Sequence, residues 1–175
     1  MIRPPIAPHG VMLMSSEDSM DNGSRQEKEQ PREGTSLLGA ERSRVVNSND
    51  SRERWRQQVI FDQDLEGRTR RAKDVLLAFS LCLGGYEGFD ASELDADELA
   101  ELGIDPAGDV DAQLQWLCIP KNPQLLEQFG WTEPTYSRAR RAAEKSGWLE
   151  EAGKHKYVTD GKTSSGATYW LAFKE

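Results

Sequence analysis

The chain has 175 residues, 37% of them hydrophobic, and a formal net charge of −8, which allows one modest core and argues against a molecule that is cationic all over. Its most apolar run, VLLAFSLCL, is nine residues long, too short to span a bilayer. Cys82 and Cys118 lack a CxxC spacing and read as buried structural thiols of a soluble, cytoplasmic protein.

The N-terminal IAPHGVMLM is short and contains Pro and Gly, so it makes a poor signal peptide. Met12, Met14 and Met20 each offer a later translation start. From Ser15 to about Arg54, Arg and Lys alternate with acids, Ser and Gly, with few large apolar side chains. Such a stretch cannot bury enough surface to offset its ordering entropy. Residues 1–50 are therefore expected to form a disordered tail, and 51–175 one folded domain.

A weak helix is predicted over Ser51–Asp62, with Trp55, Val59 and Ile60 docking onto the core and Arg52, Arg54 and Arg56 available for phosphate. A stronger one runs over Arg68–Leu83, where Ala72, Val75, Leu76, Phe79 and Leu83 share a face. Leu77, Ala78 and Leu81 extend burial around its second half, and Gly84 and Gly85 end it.

Charge then divides sharply by region. Residues 1–83 are neutral, residues 84–118 hold ten acidic and no basic residues, and residues 119–175 hold nine basic and seven acidic ones. The deficit belongs to one internal segment, so it does not exclude nucleic acid elsewhere, because binding responds to the local field. Within 84–118, Leu94, Leu99 and Leu102 show helical spacing before a break at Gly103 and Pro106. A further helix over Asp109–Cys118 would bury Val110, Leu114 and Leu117. This acidic helical insert reads as a solvated face, as a patch for a basic protein partner, or as a competitor for a nearby basic strip. Its carboxylates lack the loop spacing of a calcium hand, so no metal is expected.

The most informative stretch is Leu125–Glu151. Asn122 suits the N-cap and Pro123 the first turn of a helix whose apolar side is Leu125, Leu126 and Phe129. Gly130 makes the turn, Trp131 plugs the gap, and Thr132 caps a second helix over 132–146 that tolerates Pro134 in its first turn. In that helix Tyr136, Ala139 and Ala143 face the core. Ser137, Arg138, Arg141 and Lys145 line the other side, with Arg140 at the flank, as a basic strip about two turns long. Arginine suits such a strip because its planar fork engages guanine or phosphate with two hydrogen bonds.

After Gly147-Trp148-Leu149, strands are predicted over Lys156–Thr159 and Ala167–Phe173, the latter alternating Tyr169, Leu171 and Phe173 with Thr168, Trp170 and Ala172. The polar loop DGKTSSG, Asp160–Gly166, joins them and carries Lys162 at its tip. Catalysis finds no support: His9 lies in the tail, His155 reads as a surface or phosphate-facing residue, and no phosphate loop or nucleophile–base pair is present. No cofactor is implied.

Over about Arg68–Phe173 the sequence resembles the winged helix-turn-helix superfamily of prokaryotic, archaeal and phage regulators. The resemblance rests on Leu125-Leu126, Gly130, Thr132 and Ser137-Arg138, with the hairpin at 154–173 as a wing. Trp131 and Tyr136 stand where smaller aliphatics are usual, which implies an altered core. The implied fold is mainly α with a small β-hairpin wing. The implied function is sequence-specific binding of double-stranded DNA, as a transcriptional regulator, with the second helix in the major groove. Thr132 and Glu133 would then lie near the phosphate backbone, and Ser137, Arg138 and Arg141 near base edges. Arg140, Lys145, Lys156 and Lys162 would complete the DNA-binding set. A homodimer fits this reading, through Arg68–Leu83 or Ser51–Asp62. The alternatives are a winged-helix adaptor that binds a protein through its acidic surface, and a plasmid or phage replication or partition factor.

Overall fold

In the computed structural model, which describes residues 45–174, Val45 forms an antiparallel bridge to Ala172 and Val46 is buried. Residues 45–50, expected to belong to the tail, are thus part of the folded body, while residues 1–44 and His9 lie outside the described residues. Helix α1 (Asn49–Phe61) starts at a capping box in which Ser48 and Ser51 exchange side-chain and backbone hydrogen bonds. It buries Trp55 and Val59, but Ile60, expected in the core, is 46% exposed. The Trp55 indole N–H donates to the Ala172 carbonyl at 2.8 Å, which fastens α1 to the C-terminal end of the chain.

Helix α2 (Arg70–Phe79) is shorter than predicted at both ends. Ser80 ends it by bending its hydroxyl back to the Leu77 carbonyl at 2.6 Å, a local bond that competes with the helical ladder. The same hydroxyl accepts from Arg56 Nε at 2.8 Å, so Arg56 is used inside the fold. Leu81 is exposed rather than buried, because the chain has left the helix. Leu83 instead bridges to Cys118.

The acidic segment contains two short helices, α3 (Ala96–Glu101) and α4 (Val110–Leu114). Asp95 and Glu98 form a capping box on α3, and Asp109 caps α4 through the Ala112 N–H at 3.0 Å. The helix predicted to continue to Cys118 stops at Leu114, and Leu117–Cys118 form strand β1. Leu117 and Cys118 pair with Trp170 and Tyr169; this long-range pairing overrides a short apolar run that local periodicity cannot assign.

Next come α5 (Asn122–Phe129), α6 (Glu133–Glu144), β2 (Leu149–Thr159) and β3 (Lys162–Leu171). The three strands form one antiparallel sheet in the order β1–β3–β2. The described chain is therefore a set of helices combined with a hairpin-based sheet. Strand content exceeds the small hairpin expected: both hairpin strands run on to a two-residue turn at Asp160-Gly161, where Thr159 pairs with Lys162. Both turn residues have positive φ, 53° and 72°, the geometry of the tight Asp-Gly hairpin turn. The seven-residue loop read from DGKTSSG is thus mostly strand.

The C-terminal half of strand β3, from Gly166 to Leu171, is covered on both faces. Tyr169 and Leu171 join the core formed with Val75, Leu76, Phe79, Tyr136, Ala139 and Ala143. Trp170 packs on the opposite side with Leu99, Leu102, Ile104 and Leu117, on the apolar face of the acidic segment, and with Ile119 just after it. Thr168 donates from Oγ1 to the Leu102 carbonyl at 2.8 Å. No helix among the described residues is long and apolar enough to cross a membrane.

Gly153 is where α3 touches the sheet: a Cβ there would lie 2.1 Å from the Glu101 carbonyl oxygen. Gly153→Ala is expected to lift α3 from β2 and cost about 1–3 kcal/mol, as overpacking generally does. Urea denaturation measures it; an unchanged midpoint would show that the contact yields freely.

Candidate nucleic-acid interface

The turn between α5 and α6 requires a left-handed residue, and Gly130 supplies it at φ 61°. Open space surrounds the position of its missing Cβ, so the backbone angle, not crowding, selects glycine. Trp131 stacks on Phe129 with ring centroids 4.4 Å apart, and the Arg71 guanidinium from α2 lies 5.5 Å over the indole. The plug read from the sequence is therefore a three-residue stack linking α2, α5 and the turn.

Tyr136 locks the two helices at a set angle. Its hydroxyl donates to Asn122 Oδ1 at 2.8 Å, and burial pushes the phenol pKa far up, so it stays a neutral donor. Asn122 is the first residue of α5, with Lys121 at the cap position; it was expected as the cap and serves as the anchor for Tyr136 instead. Thr132 does occupy the cap position of α6, but its hydroxyl makes no capping bond and donates to Thr135 Oγ1 at 3.0 Å. Glu133 is exposed in the first turn, where a carboxylate suits the helix dipole and would repel a nearby phosphate.

Along α6 the expected faces are present. Tyr136, Ala139 and Ala143 are buried, Ser137 is half-buried, and Arg138, Arg141 and Lys145 are exposed. Arg138 rests its Nε against the Pro134 carbonyl at 3.1 Å, which aligns the guanidinium along the first turn. None of these three cations has an ion-pair partner among the described residues. Arg140 differs: it is half-buried beside Glu144, with Nε 3.5 Å from the carboxylate. Glu144 also accepts the Tyr169 hydroxyl at 2.6 Å, so Arg140 and Glu144 join α6 to the sheet.

The hairpin contributes a second basic element. Lys154, Lys156 and Val158 are exposed, and the register sets them opposite Ala167, Ser165 and Thr163. Opposed residues share a face, so this face carries two cations and two hydroxyls. Lys156 is engaged by Glu101 of α3 at 3.3 Å. Lys162 is exposed directly after the turn, at the first position of β3. Lys154 and the hydroxyls of Thr163 and Ser165 were missed in the sequence. The alternation of Lys154 and Lys156 with His155 and Tyr157 was the available signal.

The acidic segment leaves the basic strip of α6 exposed, since most of its apolar residues, Leu94, Leu99, Leu102, Ile104, Leu114 and Leu117 among them, are spent on the far face of the sheet. Other cations also have internal tasks. Arg54 lies 4.8 Å over the Phe173 ring, and Lys174 pairs with Asp62 and Asp64 at 3.2 and 2.6 Å. Burial favours a raised Asp62 pKa, but hydrogen bonds from the Trp148 indole and the Asp64 N–H, together with Lys174, hold it low. The cysteines are free thiols; burial pushes Cys82 up to about 11 and Cys118 well above its ordinary value, which leaves them poor nucleophiles.

His155 was read as a surface or phosphate-facing residue, and the structure corrects this. It is 3% exposed, with its ring 5.3 Å from Tyr157 and 6.0 Å from Tyr86. Among the described residues neither ring nitrogen has a well-formed hydrogen bond. Sheet alternation turns the imidazole toward the covered face, so the short-range sequence context misleads.

No protein-family model matches the chain, and neither do any curated proteins or solved structures.

Burial lowers the His155 pKa below its ordinary value, with the backbone groups of Gly166 and Pro120 partly opposing. A histidine whose folded pKa is depressed contributes stability above its unfolded pKa and loses it as pH falls through the folded value. Denaturation midpoints are expected to drop as pH falls below about 6.5, and His155→Gln should flatten that part of the profile. An equally steep profile in the variant would assign the loss to other groups.

Proposed function

We propose that this chain binds double-stranded DNA as a winged helix-turn-helix protein, with α6 in the major groove and the β2–β3 hairpin as the wing. The observation that carries the reading is the strip of Arg138, Arg141 and Lys145, exposed and without an ion-pair partner among the described residues, on a helix whose opposite side is packed by Tyr136, Ala139 and Ala143. Three cations held at helical spacing beside a hairpin bearing Lys154, Lys156 and Lys162 suit a polyanion with groove geometry.

In this reading Arg138 and Arg141 contact base edges or clamp the groove, with Ser137 beside them. Lys145, Lys154 and Lys162 hold phosphates, and Thr132 offers a hydroxyl at the helix start. Lys156 joins them after exchanging Glu101 for phosphate. Arg140 supports α6 from behind. Glu133 is better suited to the helix dipole than to the ligand. A transcriptional regulator is the role that such a reader of one groove fits most directly, and pairing as a homodimer would lengthen the site it reads.

Binding to random and mixed-sequence duplexes across a salt series tests this. Affinity is expected to fall steeply with salt. Changing Arg138 and Arg141 to Ala together should weaken binding by at least about tenfold and reduce the salt slope, with the fold intact by circular dichroism. Absence of binding at low salt by folded protein would overturn the reading.

A further inference from the structure

A groove of about 340 Å³ lies on the acidic side of the molecule, remote in character from the basic strip. Its walls include the half-buried indoles of Trp116 and Trp170, with Val45 beside them and Asp105 and Asp109 at the rim. That volume falls within the range that accommodates a side chain or small ligand.

The rim is held in place before any ligand arrives. Asp105 Oδ1 accepts from the Ala107 N–H at 3.0 Å, and Asp109 Oδ1 accepts from the Ala112 N–H at 3.0 Å. Gln113 closes the loop between them: its Nε2 donates to the Asp105 and Asp109 carbonyls at 3.0 and 3.2 Å, and its Oε1 accepts from the Asp105 N–H at 2.9 Å. Both carboxylates are exposed, oriented by one oxygen each.

We infer that this groove receives an arginine side chain of a partner polypeptide. Charge complementarity decides the occupant: among the described residues the groove lining carries three carboxylates, Asp105, Asp109 and Glu150, and no lysine or arginine, so an anion is repelled and a neutral group leaves the rim unused. A guanidinium satisfies both surfaces at once, since it stacks on an indole face and presents a planar fork to carboxylates. The compact, strongly hydrated ammonium of lysine does this less well. The inference is independent of DNA binding, which uses other residues.

The probe is an acetylated, amidated peptide containing two arginines and two leucines, with its citrulline counterpart as the isosteric neutral control. The full chain is titrated by calorimetry and by indole fluorescence, alongside Asp105→Asn/Asp109→Asn. Asparagine keeps the side-chain oxygens that accept from Ala107 and Ala112, so the loop should persist. The arginine peptide is expected to bind saturably, and the citrulline peptide or the double variant to weaken binding by about tenfold. Equal affinity for the two peptides, or no loss in the variant, would overturn the assignment. Arg42 and Arg44 precede Val45 in the chain, so a third protein carries Arg42→Ser/Arg44→Ser. Binding that emerges only in that protein would give the groove to the chain's own N-terminal arginines and overturn the partner reading, as would no binding in any of the three.

Discussion

The packing of α2 against α6 is the contact on which the rest of the structure depends. Ala139 and Ala143 put almost no bulk on the inner side of α6, and Ala72, Val75, Leu76 and Phe79 of α2 fill the shared core. Small residues let two helix backbones approach closely, and the burial of the larger ones supplies the stabilisation. Because the helix is held by that side, the side chains half a turn away have no freedom to face anything but solvent. The exposure of Arg138, Arg141 and Lys145 follows from the burial of two alanines and a tyrosine.

The sheet extends the same logic to a second core. Tyr169 stacks on Phe79 with centroids 5.3 Å apart, while its neighbour Trp170 belongs to the cluster under the acidic segment. Alternation along one strand therefore binds two layers of opposite character to one sheet. The acidic segment covers apolar surface that would otherwise meet water, and its carboxylates are left on the outside. Net charge is in this way separated in space: cations on α6 and the hairpin, carboxylates beyond the opposite face of the sheet. The ion pair between Lys156 and Glu101 is the described point where the two meet.

Two polar anchors hold the ends of this arrangement. The Trp148 indole donates to Asp62 Oδ2 at 2.6 Å, and its ring meets Trp55 edge-on at 6.2 Å. With Trp55 reaching Ala172 and Lys174 reaching Asp62, the start of the described chain and its end are fastened across the same tryptophan. Aromatic residues suit such a junction because each couples a large apolar area with one directional donor. The hairpin emerges from it already aligned with α6.

Residues that act through their own helix were legible in the sequence. The α5–glycine–α6 outline, the buried set Tyr136, Ala139 and Ala143, the exposed basic strip and the regional charge count all appear there, because helical period and local composition suffice for them. The hairpin turn was also written locally, in Asp160-Gly161, though the polar residues after it disguised a strand as a loop. What only the tertiary structure decided was everything that depends on a distant partner. Leu117–Cys118 became strand rather than helix because Tyr169 and Trp170 lie beside them. His155 went inside because the face it occupies is covered by Tyr86 and the acidic segment. Arg56, Arg140 and Lys174 were taken into the fold by Ser80, Glu144 and Asp62. A single sequence reports which side of an element is apolar; which neighbour then covers that side is settled by long-range packing, and it was packing that kept α6 open and placed the carboxylates elsewhere.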